Sequence, residues 1–295
     1  MKRVSLVFVG FLLMFSNVFP QEKTLLVGYL EIPGLGSARK FDLFINDTLS
    51  YWHRVKYDGK IRDTIIKTKL FGHEYKMNPS QVITISDPEY ETYPYKNFIL
   101  KDKKRDTLFY VVHRYNRPDM YVTDTLFPMK WEILSEHKTV LGYPCTAART
   151  HFRGRTYKAW FTPEIPVSDG PWKFGGLPGL ILEVEEEYYH FIATNIVFNP
   201  GEKPKLPPLD KYKFIPWAEY VKIMRDFYDR KIKERIARKI REGDKFNSGM
   251  KLFAEEIIHP IYSKNGVFIP GVEALKKQKK TKPKKKKRKR FLGIF

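Results

Sequence analysis

The chain predicts a mainly β (α+β) protein: a curved antiparallel sheet or partial barrel with a C-terminal amphipathic helix packed on it. Three observations lead there. Short apolar runs rich in β-branched and aromatic residues recur between turn residues up to about residue 200, the pattern of paired strands. At 42% hydrophobic and 15% aromatic, the 295 residues hold ample material for a core. After residue 216 the apolar period lengthens from two to that of a helix.

Residues 1–20 read as a signal peptide. Lys2 and Arg3 precede an apolar run from Val4 to Phe15, which Ser16 to Gln21 then break. The run is short for a permanent span, and no stop-transfer pattern follows. The expectation is an exported protein, periplasmic or outer-membrane-associated and soluble after signal cleavage. No cysteine stands just after the run to carry a lipid anchor.

Residues 21–200 form the expected β domain. A strand over 23–32 stops at Pro33-Gly34; Phe41, Leu43 and Ile45 alternate with polar residues before Asn46-Asp47 turns the chain into Leu49–Val55, a hairpin signal. Residues 56–96 are polar and read as loops with weak strands. Strands follow at 97–100, 107–115, 120–123, 131–135 and 139–150. Arg153-Gly154-Arg155 turns the chain into 156–161, and Glu186-Glu187-Tyr188 joins 180–185 to 189–198.

Residues 201–216, rich in Pro and Lys, read as a linker. From Trp217 the apolar residues Tyr220, Val221, Met224, Phe227, Tyr228, Ile232, Ile236 and Ile240 draw a helical stripe. Pro216 starts it and Gly243 stops it, so 217–270 is the helical part, with a second short helix near 250–258.

The formal charge of +21 is local. Twelve basic residues and no acidic one lie between Lys276 and Arg290, inside a tail over 271–295 expected to be disordered by self-repulsion. An exported chain seldom meets nucleic acid, so that partner is demoted. The tail and the apolar Phe291–Phe295 tip suit docking to an anionic membrane surface through 276–290.

Residues 170–184 carry the most specific motif. In Leu177-Pro178-Gly179-Leu180, Pro presets one φ and Gly permits a positive one, the chemistry of a type II turn. Gly175 and Gly176 add a bend, and Leu180 and Ile181 open a buried strand. The run Gly176-Leu177-Pro178-Gly179-Leu180-Ile181 resembles the motif of the GLPGLI family, exported proteins of Bacteroidota-type bacteria. The resemblance extends through Tyr157, Ala159 to Thr162, Ile165-Pro166 and Asp169 to Pro171, and upstream to Trp131 and 141–145. It implies an exported β protein and no catalytic signature.

Few residues invite chemistry. One cysteine excludes an intramolecular disulfide and multi-cysteine zinc sites. Cys145 and His151 on one strand lie about 20 Å apart, too far for a nucleophile and its base. The histidines at 53, 73, 113, 137, 151, 190 and 259 form no metal-binding spacing, so neither metal nor cofactor is expected. The acidic run Glu183, Glu185, Glu186 and Glu187 reads as a hairpin end.

The candidate binding residues are therefore Tyr143, Trp160, Phe161, Asp169, Trp172, Lys173 and Phe174 around the glycine-rich loop at 165–180, facing an outer-membrane protein or an apolar ligand. A hydrolase assembled from dispersed Asp, Glu and His is the alternative, and a membrane-surface adaptor a third. Asp-Thr-aliphatic triplets at Thr48, Thr64, Thr107 and Thr125 resemble an O-glycosylation pattern of the same bacterial group; turn chemistry gives the same residues.

Overall fold

The structure is a computed structural model. It describes residues 24–33, 38–55, 97–113, 118–187, 189–227 and 230, with the backbone of 66–70, 73–77, 261–262 and 268–269. The expected signal peptide, the second helix and the basic tail lie outside the described residues, as does Thr64.

The strands are β1 Leu25–Pro33, β2 Arg39–Ile45, β3 Leu49–Arg54, β4 Ile66–Leu70, β5 His73–Met77, β6 Phe98–Asp102, β7 Thr107–Val112 and β8 Met120–Thr125. They continue as β9 Glu132–Val140, β10 Tyr143–Phe152, β11 Arg155–Thr162, β12 Leu180–Glu185, β13 Tyr189–Phe198, β14 Phe214–Pro216, β15 Ile261–Tyr262 and β16 Phe268–Ile269. Twelve of the described strands form one open sheet in the order β14-β8-β7-β6-β3-β2-β1-β13-β12-β11-β10-β9. Every neighbouring pair in it is antiparallel except β14 with β8. It is two meanders stitched together where β1 meets β13.

Chain connectivity forces this sheet to curl. Strands β8 and β9 are ten steps apart in the order, about 48 Å across a flat sheet at ~4.8 Å per step. Only residues 126–131 join them, and such a segment reaches about 25 Å at most. The two margins must therefore approach each other. Arg153, in the β10–β11 turn, meets Asp124 of β8 at 2.7 Å, which shows that they do.

One turn differs from the sequence expectation. Residues 136–138 belong to β9, and the chain reverses at Leu141-Gly142. Their φ values of 51° and 84° put both central residues in the left-handed region, as a tight hairpin turn requires. The leucine in the first of those positions hides the signal.

Alternation gives the sheet two apolar faces. Inside, Phe41, Trp52, Tyr29, Phe191 and Val184 join residues from both meanders in the main core. Outside, the first meander buries Phe44, Tyr51, Phe98 and Leu100. Leu209 packs on this second cluster, and Tyr212 stacks on Tyr121 with ring centres 4.1 Å apart. Residues 201–216, read as a linker, thus run as a strap from the end of β13 to the far edge, ending in β14. The helix begins at 217 and is described to 227. Its residues Tyr220, Val221 and Met224 are buried in the inner core, three of the positions on the sequence stripe. Among the described residues no helix is long and apolar enough to cross a membrane.

Candidate functional site

The segment between β11 and β12, residues 163–179, enters the space that the curled sheet encloses. Its two ends are tied by Leu180 N–H donating to Ile165 O at 3.0 Å and Ile181 N–H to Asp169 O at 2.9 Å. Asp169 also bridges to Gly175, which narrows the loop at its middle. Side chains from three strands then receive it. The Lys101 ammonium of β6 donates to Asp169 Oδ1 at 2.7 Å, Gly170 O at 2.7 Å and Phe174 O at 2.8 Å. Ser50 Oγ donates to Asp169 Oδ2. Tyr29 Oη donates to Ile181 O at 2.7 Å, and Trp131 Nε1 to Gly175 O at 2.8 Å.

Lys101 and Asp169 are both 0% exposed, so their charges survive only because they meet. Burial pulls the Lys101 pKa down and Asp169 opposes that pull. Burial pushes the Tyr29 hydroxyl well above its ordinary value, and the Asp169 charge adds to the rise.

The loop's aromatic residues complete the interior. Trp172 lies 5.1 Å from Phe174 and 6.5 Å from Phe191, while Phe174 meets Tyr157 edge-on at 4.9 Å. Lys173 places its ammonium 3.7 Å from the Tyr110 ring and 3.7 Å from Asp124. Trp172 holds φ at 50°, a costly conformation for a bulky side chain that persists because its neighbours fix it.

The glycines are needed for space as well as for backbone freedom. A Cβ on Gly175 would stand 2.1 Å from Phe127 Cε1, and one on Gly179 would stand 2.1 Å from the carbonyl oxygen of Thr162. Gly176 carries the positive φ, at 85°. Around Pro178 the short bond runs from Gly179 N–H to Leu177 O at 2.8 Å, with Gly179 at φ 157°, so the expected type II turn is replaced by a tighter one.

The sequence-selected residues therefore divide. Asp169, Lys173, Phe174 and Leu177 are buried in or beside the interior, with Phe161, Leu180 and Ile181, and Trp172 is half-buried there. Tyr143 sits half-buried at the β9–β10 hairpin. Trp160 lies on the outer face of β11, covered by the ammonium groups of Lys138 and Lys158 at 4.3 and 4.7 Å. It is buried and belongs to the same core cluster as Phe174, but its ring packs on these lysines rather than on Trp172 or Phe174. The loop still turns Pro163, Glu164, Pro166, Ser168, Gly176 and Pro178 outward.

Sequence reading passed over Lys101. Its signal was a lysine in an otherwise apolar strand, Phe98-Ile99-Leu100-Lys101, alternating with Ile99 on the inner face.

A second gathering of polar groups lies outside. Glu183 and Glu185 stand two apart on β12, and His190 of β13 pairs in register with Glu185. His190 Nε2 is 2.9 Å from Glu183 Oε1, and Lys138 Nζ lies 2.7 Å from Glu183 and 3.1 Å from Glu185. Hydrogen bonds and charge from His190 and Lys138 outweigh burial and hold the Glu183 carboxyl down at about 2. Cys145 is buried, its thiol pushed up to about 11 by desolvation, while exposed His151 pairs with Thr156. Thr107 and Thr125 face each other across β7 and β8, and Thr48 sits in the β2–β3 turn; of these three, only Thr125 is fully exposed.

Comparison with known proteins adds one local likeness. Residues 151–183 match the model of a family described as a protein of unknown function (Porph_ging), a stretch that contains Gly176–Ile181. No curated protein matches the chain. Two solved structures of PNGF-II are similar: in space group C2 at 15% identity and TM-score 0.41, over 66% of this chain and 31% of that one. In space group P21 the figures are 14%, 0.43, 68% and 33%. The chain spans about a third of those proteins.

Proposed function

We propose that this chain is an exported cell-envelope protein of the kind the GLPGLI resemblance implies, and that it acts by binding an outer-membrane protein without catalysis. One observation carries the reading. The 163–179 loop is fastened from within by Lys101, Ser50 and Trp131, yet presents Pro163, Pro166, Pro178, Glu164 and Ser168 to solvent. A rim held this firmly loses little conformational entropy when a partner docks. A protein partner fits better than an apolar ligand, because Trp172, Phe174 and Phe191 already occupy the enclosed space.

A photo-crosslinking residue placed at Pro166 in the native envelope tests this. The expected result is one discrete protein adduct, absent when the same probe replaces exposed Thr156 on the outer face of β11, and lost when Ser168→Arg is added. Failure to form any specific adduct from positions 163, 166 and 168 contradicts it.

A further inference from the structure

The outer group of Glu183, Glu185 and His190 brings two carboxylates and an imidazole within 4.8 Å of one another. Strand geometry alone produces it. Residues two apart on β12 point the same way, and the register of β12 on β13 adds His190 beside them. Histidine spacing along the chain does not announce such a set, because its members come from different strands.

Two features mark it as more than a surface ion pair. A cation already sits there: the Lys138 ammonium, reaching in from β9, contacts both carboxylates. And His190, 2% exposed, turns Nε2 onto Glu183 Oε1, so a nitrogen donor able to ligate a cation stands buried beside the two carboxylates. The set therefore combines an ion pair to Lys138 with an imidazole that Glu183 holds in place.

We propose that Glu183, Glu185 and His190 form a binding site for a divalent transition cation of the zinc class, taken up in exchange for the Lys138 ammonium. Ligands of a tetrahedral zinc stand about 3.3 Å apart when each bond is ~2.0–2.1 Å. Glu183 Oε1 and His190 Nε2 are 2.9 Å apart, a few tenths of an ångström below that spacing, and the whole set lies within 4.8 Å, so side-chain rotation closes it on the ion. An imidazole beside two carboxylates favours zinc over calcium or magnesium, which prefer all-oxygen shells. Three protein ligands leave a fourth position open to water or to a bound group. The Trp160 indole N–H, 3.1 Å from Glu185 Oε1, orients that carboxylate from behind. Lys138 is the movable part: its side chain is 29% exposed and leaves toward water still protonated. His190 binds as the neutral ring, so any proton on Nε2 is released on binding.

Titration calorimetry with zinc ion alone, on the full untagged chain stripped with a chelator, tests the site. One zinc per chain is expected, with a visible absorption spectrum of tetrahedral type when cobalt replaces zinc. Lys138→Met removes the competing cation and should tighten binding at least about tenfold, while His190→Gln and Glu185→Gln should each weaken it about 10- to 100-fold. Glu185 is half-exposed, so its variant gives a readable answer even where His190→Gln fails to fold. No zinc binding by either the native chain or Lys138→Met overturns the proposal. So does binding that survives both His190→Gln and Glu185→Gln, or that Lys138→Met leaves unchanged.

Discussion

The enclosed loop and the outer β9–β13 patch use the same groups, lysine and carboxylate, to opposite ends. Inside, Lys101 spends all three protons on Asp169 and two carbonyls, and Asp169 accepts from Lys101, Ser50 and the Gly170 N–H. Outside, Lys138 reaches its two glutamates from the solvent side and His190 keeps a nitrogen without a partner among the described residues. Completeness of pairing separates them. A fully paired buried ion pair holds a loop in place; an incompletely paired, half-open one retains chemistry to offer.

The sharpest way to break this contrast is to remove one lysine from each region. Lys101→Met leaves the Asp169 charge buried without its main partner and should cost about 3–5 kcal/mol in urea unfolding. Lys138→Met, at a half-exposed pair, should cost at most ~1 kcal/mol. Equal costs would erase the distinction.

Space inside the loop gives the next effect. Gly175→Ala should cost about 1–3 kcal/mol through the clash with Phe127. Phe127→Leu in the same chain should cost less than it does alone, a coupling readable by double-mutant cycle. Simple additivity would mean that the two residues do not share the space.

Acid sharpens the contrast further. His53 is held down at about 4, chiefly by burial, with backbone hydrogen bonding opposing. Its folded pKa lies below the unfolded value of about 6.5, so the unfolded chain takes up the extra proton and stability falls as pH drops from 6.5 toward 4. His53→Phe should flatten that limb, an effect on the order of 3 kcal/mol. Glu183, held at about 2, contributes stability above its unfolded value of 4.5 that is lost as pH falls from there toward 2. Glu183→Gln should remove only this lower limb, and stability curves from pH 7 to 2 separate the two. The smallest expected effect is at Cys145. Its buried thiol, near 11, should react with a disulfide reagent at neutral pH far more slowly in the native chain than in urea.

Much of the fold was legible because strands announce themselves locally. Alternation placed β2 and β3, and Arg153-Gly154 marked the β10–β11 turn. The helical stripe gave Tyr220, Val221 and Met224 as core residues. What stayed hidden depends on distant contacts. The strap over 201–216 shares the composition of a linker, and only its packing of Leu209 and Tyr212 distinguishes it. Trp160 and Trp172 look alike in sequence, yet the strand pleat sends one outward while the loop carries the other in. No local pattern announced that Lys101 would meet Asp169 from 68 residues away.

The central claim is that residues 163–179 are the fixed interior of the curled sheet. Native-state hydrogen exchange of the Phe174, Leu180 and Ile181 amides tests it most directly, since these donate to Pro171, Ile165 and Asp169. They should exchange as slowly as the β1 and β13 amides, through global unfolding alone. Exchange as fast as that of the exposed Leu141-Gly142 turn would contradict the account.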